Sequence, residues 1–161
     1  GEQKVQVRFT DSRHSFPYAL DIAWESFLPK PAPQCPIRLQ TRLVAPKVAI
    51  GQLARMEVVV TNTGQGSLSM TTAIIGIPSG ASLQPYQLKE LLDTKQVDYY
   101  ELFENQLVLY WKSMGPSEVK IIPLDLKAEI AGSYRASAST AYLYYGDEFK
   151  DWVEGVLLEV E

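Results

Sequence analysis

Cysteine and histidine are almost missing from this chain. One cysteine, Cys35, means that no disulfide can close within it. One histidine, His14 in the turn-like TDSRHS, is too little for a His-based metal centre or a Ser-His-Asp triad, and it reads as a solvated turn residue. No apolar run approaches the roughly 18 residues that cross a bilayer, and no secretory leader pattern is present. The net charge is −4, with acids and bases interspersed, so the basic face that nucleic acid or an anionic membrane would need is absent. There is no phosphate-cradling glycine loop, no Cys/His cluster and no calcium loop of EF-hand spacing. The sequence therefore leads to no expected catalytic residue, cofactor, metal, nucleic-acid partner or direct membrane insertion.

What is present is a strand-rich globular composition, 46% hydrophobic and 21% charged. Val5, Val7 and Phe9 alternate, as do Leu20, Ile22 and Trp24, which predicts a β-hairpin over the first part of the chain. LPKPAPQCP, residues 28–36, carries four prolines; with φ fixed and donors removed it predicts an extended linker and the main boundary. The abrupt, strand-like start at Lys4 suggests a piece of a larger protein.

Alternation then predicts strands through Ile37–Leu43, Met56–Val60, Ala73–Ile77, Tyr99–Phe103 and Leu107–Trp111, with turns at Gly51, TNTGQGS, Pro78–Gly80, Glu104-Asn105 and MGPSE. Val119 and Ile121 have the opposite parity to Leu124, Leu126 and Ala128, which predicts a bulge near Ile122–Pro123 on an edge strand. A long strand is expected with Tyr134, Ala136, Ala138, Thr140, Tyr142 and Tyr144 on one side, and Val156, Leu158 and Val160 close the chain. LQPYQLKELLDTK interrupts the pattern: Leu88, Leu91 and Leu92 stand at helical spacing behind Pro85, predicting one short helix near 84–95. The expected fold is mainly β, an immunoglobulin-like antiparallel sandwich with one short helix inserted between strands.

Three groups invite a functional reading. Asp147 and Glu148 in GDE are sequence neighbours and point to opposite faces of a strand, so they make a poor acid/base pair and read as a solvated turn that ends the tyrosine-rich strand. The nine tyrosines suggest exposed aromatic platforms for carbohydrate, against the plainer expectation that they fill the sandwich and hydrogen-bond at its edge. On the helix, the leucines would dock while Lys89, Glu90 and Asp93 face solvent, Lys89 and Asp93 as an i,i+4 pair, forming a candidate recognition surface.

A helix lodged between IPSG and the hairpin YYELFENQLVLYW, followed later by AYLYYGDEF, resembles the C-terminal domain of the alpha-2-macroglobulin family, often called the receptor-binding domain. The pieces that carry the resemblance are Ser79-Gly80, Lys89 to Leu92, Asn105 to Tyr110, and Tyr142-Leu143-Tyr144-Tyr145 with Asp147-Glu148-Phe149. It covers about residues 36–161, while PYALDIAWESFLP looks like the closing strand of the CUB-like domain that precedes it in the family. The resemblance divides the chain into 1–30, a CUB-like remnant plus linker, and 36–161, the sandwich.

It also implies a function. In the family a protease cuts a bait region, the molecule closes around the protease, and many members capture it through an internal thioester. The C-terminal domain does neither; it packs on the rest of the molecule and, in animal plasma proteins, presents a helix to a clearance receptor. Of the two receptor lysines one turn apart, Lys89 matches one, and Pro85 stands in place of the other. Gly1-Glu2-Gln3 spells the tail of the thioester motif without its cysteine and is taken as chance. The expectation is a non-catalytic module of a protease-trapping protein whose partners are its parent's other domains, target proteases through the parent, and a protein receptor. Its expected location is extracytoplasmic: periplasm or cell envelope in a bacterium, the favoured branch, and secreted otherwise. The competing expectation is a free-standing carbohydrate- or adhesion-type ligand-binding sandwich, for which Trp111, Tyr142, Tyr144 and Trp152 should form an exposed row.

Overall fold

The computed structural model describes residues 4–8, 17–23 and 25–161. Among the described residues, twelve strands and one helix follow one another. They are β1 (Ile37–Leu43), β2 (Lys47–Val48), β3 (Leu53–Asn62), β4 (Leu68–Gly76), β5 (Ala81–Leu83), α1 (Pro85–Asp93), β6 (Tyr99–Phe103), β7 (Gln106–Met114), β8 (Val119–Ala128), β9 (Gly132–Arg135), β10 (Ser139–Leu143), β11 (Gly146–Val153) and β12 (Leu157–Val160). A four-stranded sheet of order β1-β3-β8-β5 faces a five-stranded sheet of order β11-β10-β4-β7-β6, and β2-β12-β9 form a small third sheet. Pairing is antiparallel apart from β2 with β12. This is the immunoglobulin-like sandwich that the alternation predicts.

The core is built from the inward halves of those alternations. Ala54, Met56, Val58 and Val60 of β3 are fully buried, as are Leu107 and Leu109 of β7 and Leu124 and Leu126 of β8. Trp111 closes the layer, its indole Nε1–H donating to the Gln96 carbonyl at 2.7 Å. Asn62 ties two turns together: its amide donates to the carbonyls of Gly66 and Gly115, and its Oδ1 accepts from the Gly64 N–H.

Two strand expectations change. The bulge near Ile122–Pro123 does not form; β3 and β8 stay in register from Leu53↔Lys127 to Thr61↔Val119. Ile122 takes the inward phase, and Val119 and Ile121 face outward and exposed. Pro123 is tolerated because its missing N–H points away from β3. The N–H groups of residues 123 and 125 share a side, since strand direction repeats every two residues, and that of Asp125 donates to the Gln87 side chain, not to β3. The long strand after Ala131 is also broken. β9 pairs with β12 and β10 with β4 and β11, so the chain changes sheets at residues 136–138. Gly76 and Gly155 make room there: a Cβ on them would lie 2.1 Å from the Ser137 carbonyl oxygen and 1.9 Å from that of Ala136.

The described parts of the expected N-terminal hairpin, 4–8 and 17–23, carry no strand; Val5, Val7, Leu20 and Ile22 are exposed. A two-stranded ribbon with nothing to cover its apolar side gains little in water. Phe9, His14 and Trp24 lie outside the described residues. The proline-rich stretch is anchored at its end, where the Ala32 N–H donates to the Lys150 carbonyl and Cys35 is buried against the core as a free thiol. Burial pushes its pKa up.

Candidate functional site

Pro85 opens α1 where its absent N–H costs nothing, and the Thr94 hydroxyl donates to the Glu90 carbonyl at the other end. Leu88 and Leu91 are buried and Leu92 is half-buried, so the helix docks by the leucines that the spacing identified. Lys89, Glu90 and Asp93 are exposed on its outer side, and no ion pair joins Lys89 to Asp93 among the described residues. Sequence reasoning missed Gln87. It is buried, with Nε2 donating to the Asp125 carbonyl and Oε1 accepting from the Asp125 N–H, both at 2.7 Å. One side chain thus imitates a neighbouring strand at the edge of β8, which β5 leaves uncovered beyond Leu126.

Asp147 and Glu148 are exposed, and they open β11 rather than end a strand. The β10–β11 register slips from Tyr142↔Lys150 to Leu143↔Gly146, so residues 147–149 form an excursion from the ladder. The important carboxylate is Asp151, which sequence reasoning passed over. It is buried in β11, accepts from the Leu39 N–H of β1 at 2.8 Å and from the Arg38 guanidinium at 3.0 Å, and so straps one sheet to the other. No group of three metal-ligating side chains occurs among the described residues.

Tyr100 and Tyr134 pack partly against the core as expected, but the tyrosines of the YLYY stretch do not fill the sandwich. Tyr142 and Tyr144 share a side, but it is the outer one; Ala141 takes the core side of β10 and Leu143 packs partly against the core. Across the outer face of the five-stranded sheet the registers align Lys150, Tyr142, Thr72, Tyr110 and Tyr99 in one row. The Lys150 ammonium sits 4.6 Å from the centre of the Tyr142 ring, and the Tyr99 and Tyr110 rings lie 5.9 Å apart. Thr72 is covered between its two tyrosine neighbours. The Tyr110 hydroxyl donates to Glu101 Oε1 at 2.8 Å; desolvation and that carboxylate push its pKa up to about 12. Burial, with the charge of Asp147, also raises that of Tyr142. The exposed row expected of a carbohydrate binder does not assemble from the four named residues: Trp111 is 2% exposed and Trp152 is half-buried, although Tyr144 is 52% exposed. Parity alone puts Tyr99 and Glu101 on one side of β6; the partner strand that completes the row is visible only in three dimensions.

No protein-family model matches the chain, and no curated protein matches its sequence. Solved structures do. A trypsin-activated alpha-2-macroglobulin from Escherichia coli superposes on 83% of this chain at TM-score 0.65 and 14% identity. The fold is that of part of the bacterial alpha-2-macroglobulins. The Salmonella protein reacted with methylamine matches 82% of the chain at TM-score 0.65 and 14% identity. A native Escherichia coli structure spanning domain MG7 to the C-terminus matches 83% at TM-score 0.61 and 15% identity. The chain spans 11%, 10% and 25% of those three chains.

Proposed function

We propose that this chain is the non-catalytic C-terminal module of an alpha-2-macroglobulin-like protease-trapping protein, an endopeptidase inhibitor, and that it serves inter-domain packing or recognition after activation. The fold shared with a trypsin-activated macroglobulin carries the reading. The exposure of Val5, Val7, Leu20, Ile22 and Phe27 supports it, because a run of uncovered apolar side chains ahead of a well-packed sandwich is what a domain interface leaves when its partner is taken away. Tyr144 and Tyr145, packed edge-to-face and exposed, add uncovered aromatic surface on the sandwich itself. The outer side of α1, with Lys89, Glu90 and Asp93, is the proposed recognition surface for a protein receptor. The parent's other domains, and target proteases through the parent, are the remaining partners, in the periplasm or another extracytoplasmic space.

The test compares the isolated chain with its full-length parent in the presence of an endopeptidase. The parent should compact and retain the protease, whereas the isolated chain should leave proteolysis of a large substrate unchanged. Stoichiometric inhibition by the isolated chain would overturn the reading, because a lone sandwich has no cage to close. The second reading, a carbohydrate- or adhesion-type binding sandwich, rests on the outward tyrosines and is checked by titration with oligosaccharides.

A further inference from the structure

Beside the tyrosine row lies an open cleft of about 340 Å³, lined by Tyr99, Tyr110 and Tyr144 together with Asp98, Glu101 and Lys112. Met70 also lines it, with a φ of +50° that places a non-glycine residue in the left-handed region, where backbone strain concentrates at functional positions. The carboxylates are held from behind. Glu101 accepts from the Tyr110 hydroxyl and Asp98 from the Lys112 backbone N–H, both at 2.8 Å. Neither carboxylate takes part in an ion pair among the described residues, although Lys112 stands at the same rim. Two acids against one base leave the rim at −1, in front of tyrosine faces that attract cations. The same sheet face already holds one ammonium over a tyrosine ring, that of Lys150 over Tyr142.

We infer that this cleft binds an arginine side chain presented by another polypeptide segment. The aliphatic stem would lie along Met70 and the tyrosine rings, and the planar guanidinium would stack on a ring while donating to the free oxygens of Glu101 and Asp98. Arginine suits this better than lysine, because its flat fork satisfies a carboxylate and stacks at the same time. A neutral sugar would use the rings but leave the two carboxylates uncompensated. The inference stands on the cleft alone and does not depend on the protease-trap reading.

The test is an NMR titration of the chain with acetyl-Gly-Arg-Gly-amide, with acetyl-Gly-Glu-Gly-amide and maltose as comparison probes. The arginine peptide should saturably shift the tyrosine resonances of the cleft, and the acidic peptide should not. Glu101→Gln keeps an acceptor for the Tyr110 hydroxyl and should weaken the arginine peptide roughly three- to tenfold. Tyr99→Leu, at a position more than half exposed, gives a second variant that does not disturb the core and should weaken it similarly. No shift with the arginine peptide, equal shifts with the acidic one, saturation by maltose alone, or unchanged binding in both variants would each overturn the proposal.

Discussion

Removing the Asp151 carboxylate tests how the two sheets are held together. The Leu39 N–H faces the open side of β1, and Asp151 supplies its acceptor at 2.8 Å in a position only 4% exposed. In Asp151→Ala that donor is left buried without a partner, which costs about 1–3 kcal/mol. The Arg38 guanidinium also loses its acceptor, but its side chain is 50% exposed and can turn to water, so this adds no more than about 1 kcal/mol. The expected loss is therefore about 1–4 kcal/mol, a large share of the roughly 5–15 kcal/mol by which domains are stable. Arg38→Ala should cost only up to about 1 kcal/mol, and Asp151→Asn should fall between, because the amide oxygen can still accept from Leu39. Urea unfolding followed by the fluorescence of the buried Trp111 and by circular dichroism would measure all three, with an unchanged m-value if the denatured state is unaffected. A loss below about 0.5 kcal/mol for Asp151→Ala, or one equal to that of Arg38→Ala, would show that the backbone acceptor role is not what matters.

Leu91→Ala should cost roughly 2–5 kcal/mol as a cavity beneath the helix, and the half-buried Leu92 should cost less; equal small losses in denaturant unfolding would mean that α1 is not docked. Gln87→Ala should destabilise by about 1–3 kcal/mol and speed hydrogen exchange at the Asp125 amide, and an unchanged exchange rate would count against the edge-capping role. Ultraviolet difference titration should find Tyr110 ionising near pH 12, and Glu101→Gln should move that midpoint back toward 10. Because the folded pKa lies above the unfolded one, the stability linked to Tyr110 is complete below pH 10 and is lost as the pH rises through about 12; a midpoint of 10 in the folded protein would refute it.

The strands β1, β3, β4 and β7 and the helix were legible because their apolar residues recur with one clear period and face one clear core. Pro85 and the leucine spacing were enough to place α1, and the parity of Met56, Val58 and Val60 was enough to aim β3. At β10 both sides are apolar, Ala141 and Leu143 against Tyr142 and, just beyond the strand, Tyr144, so alternation marks a strand without saying which side is inward. The packing decided it: small Ala141 lies against the core, opposite Ala73, and the bulky tyrosines are left outside. The same holds for Val119 and Ile121, whose outward phase follows from the unbroken register with β3, not from their hydrophobicity. Composition and period therefore determined the class of fold and the docking side of the helix. The Asp151 strap, the Gln87 edge cap and the tyrosine row each join residues far apart in the chain. A polar side chain's partner, unlike an apolar one's burial, depends on which donor or acceptor the tertiary structure brings within hydrogen-bond reach.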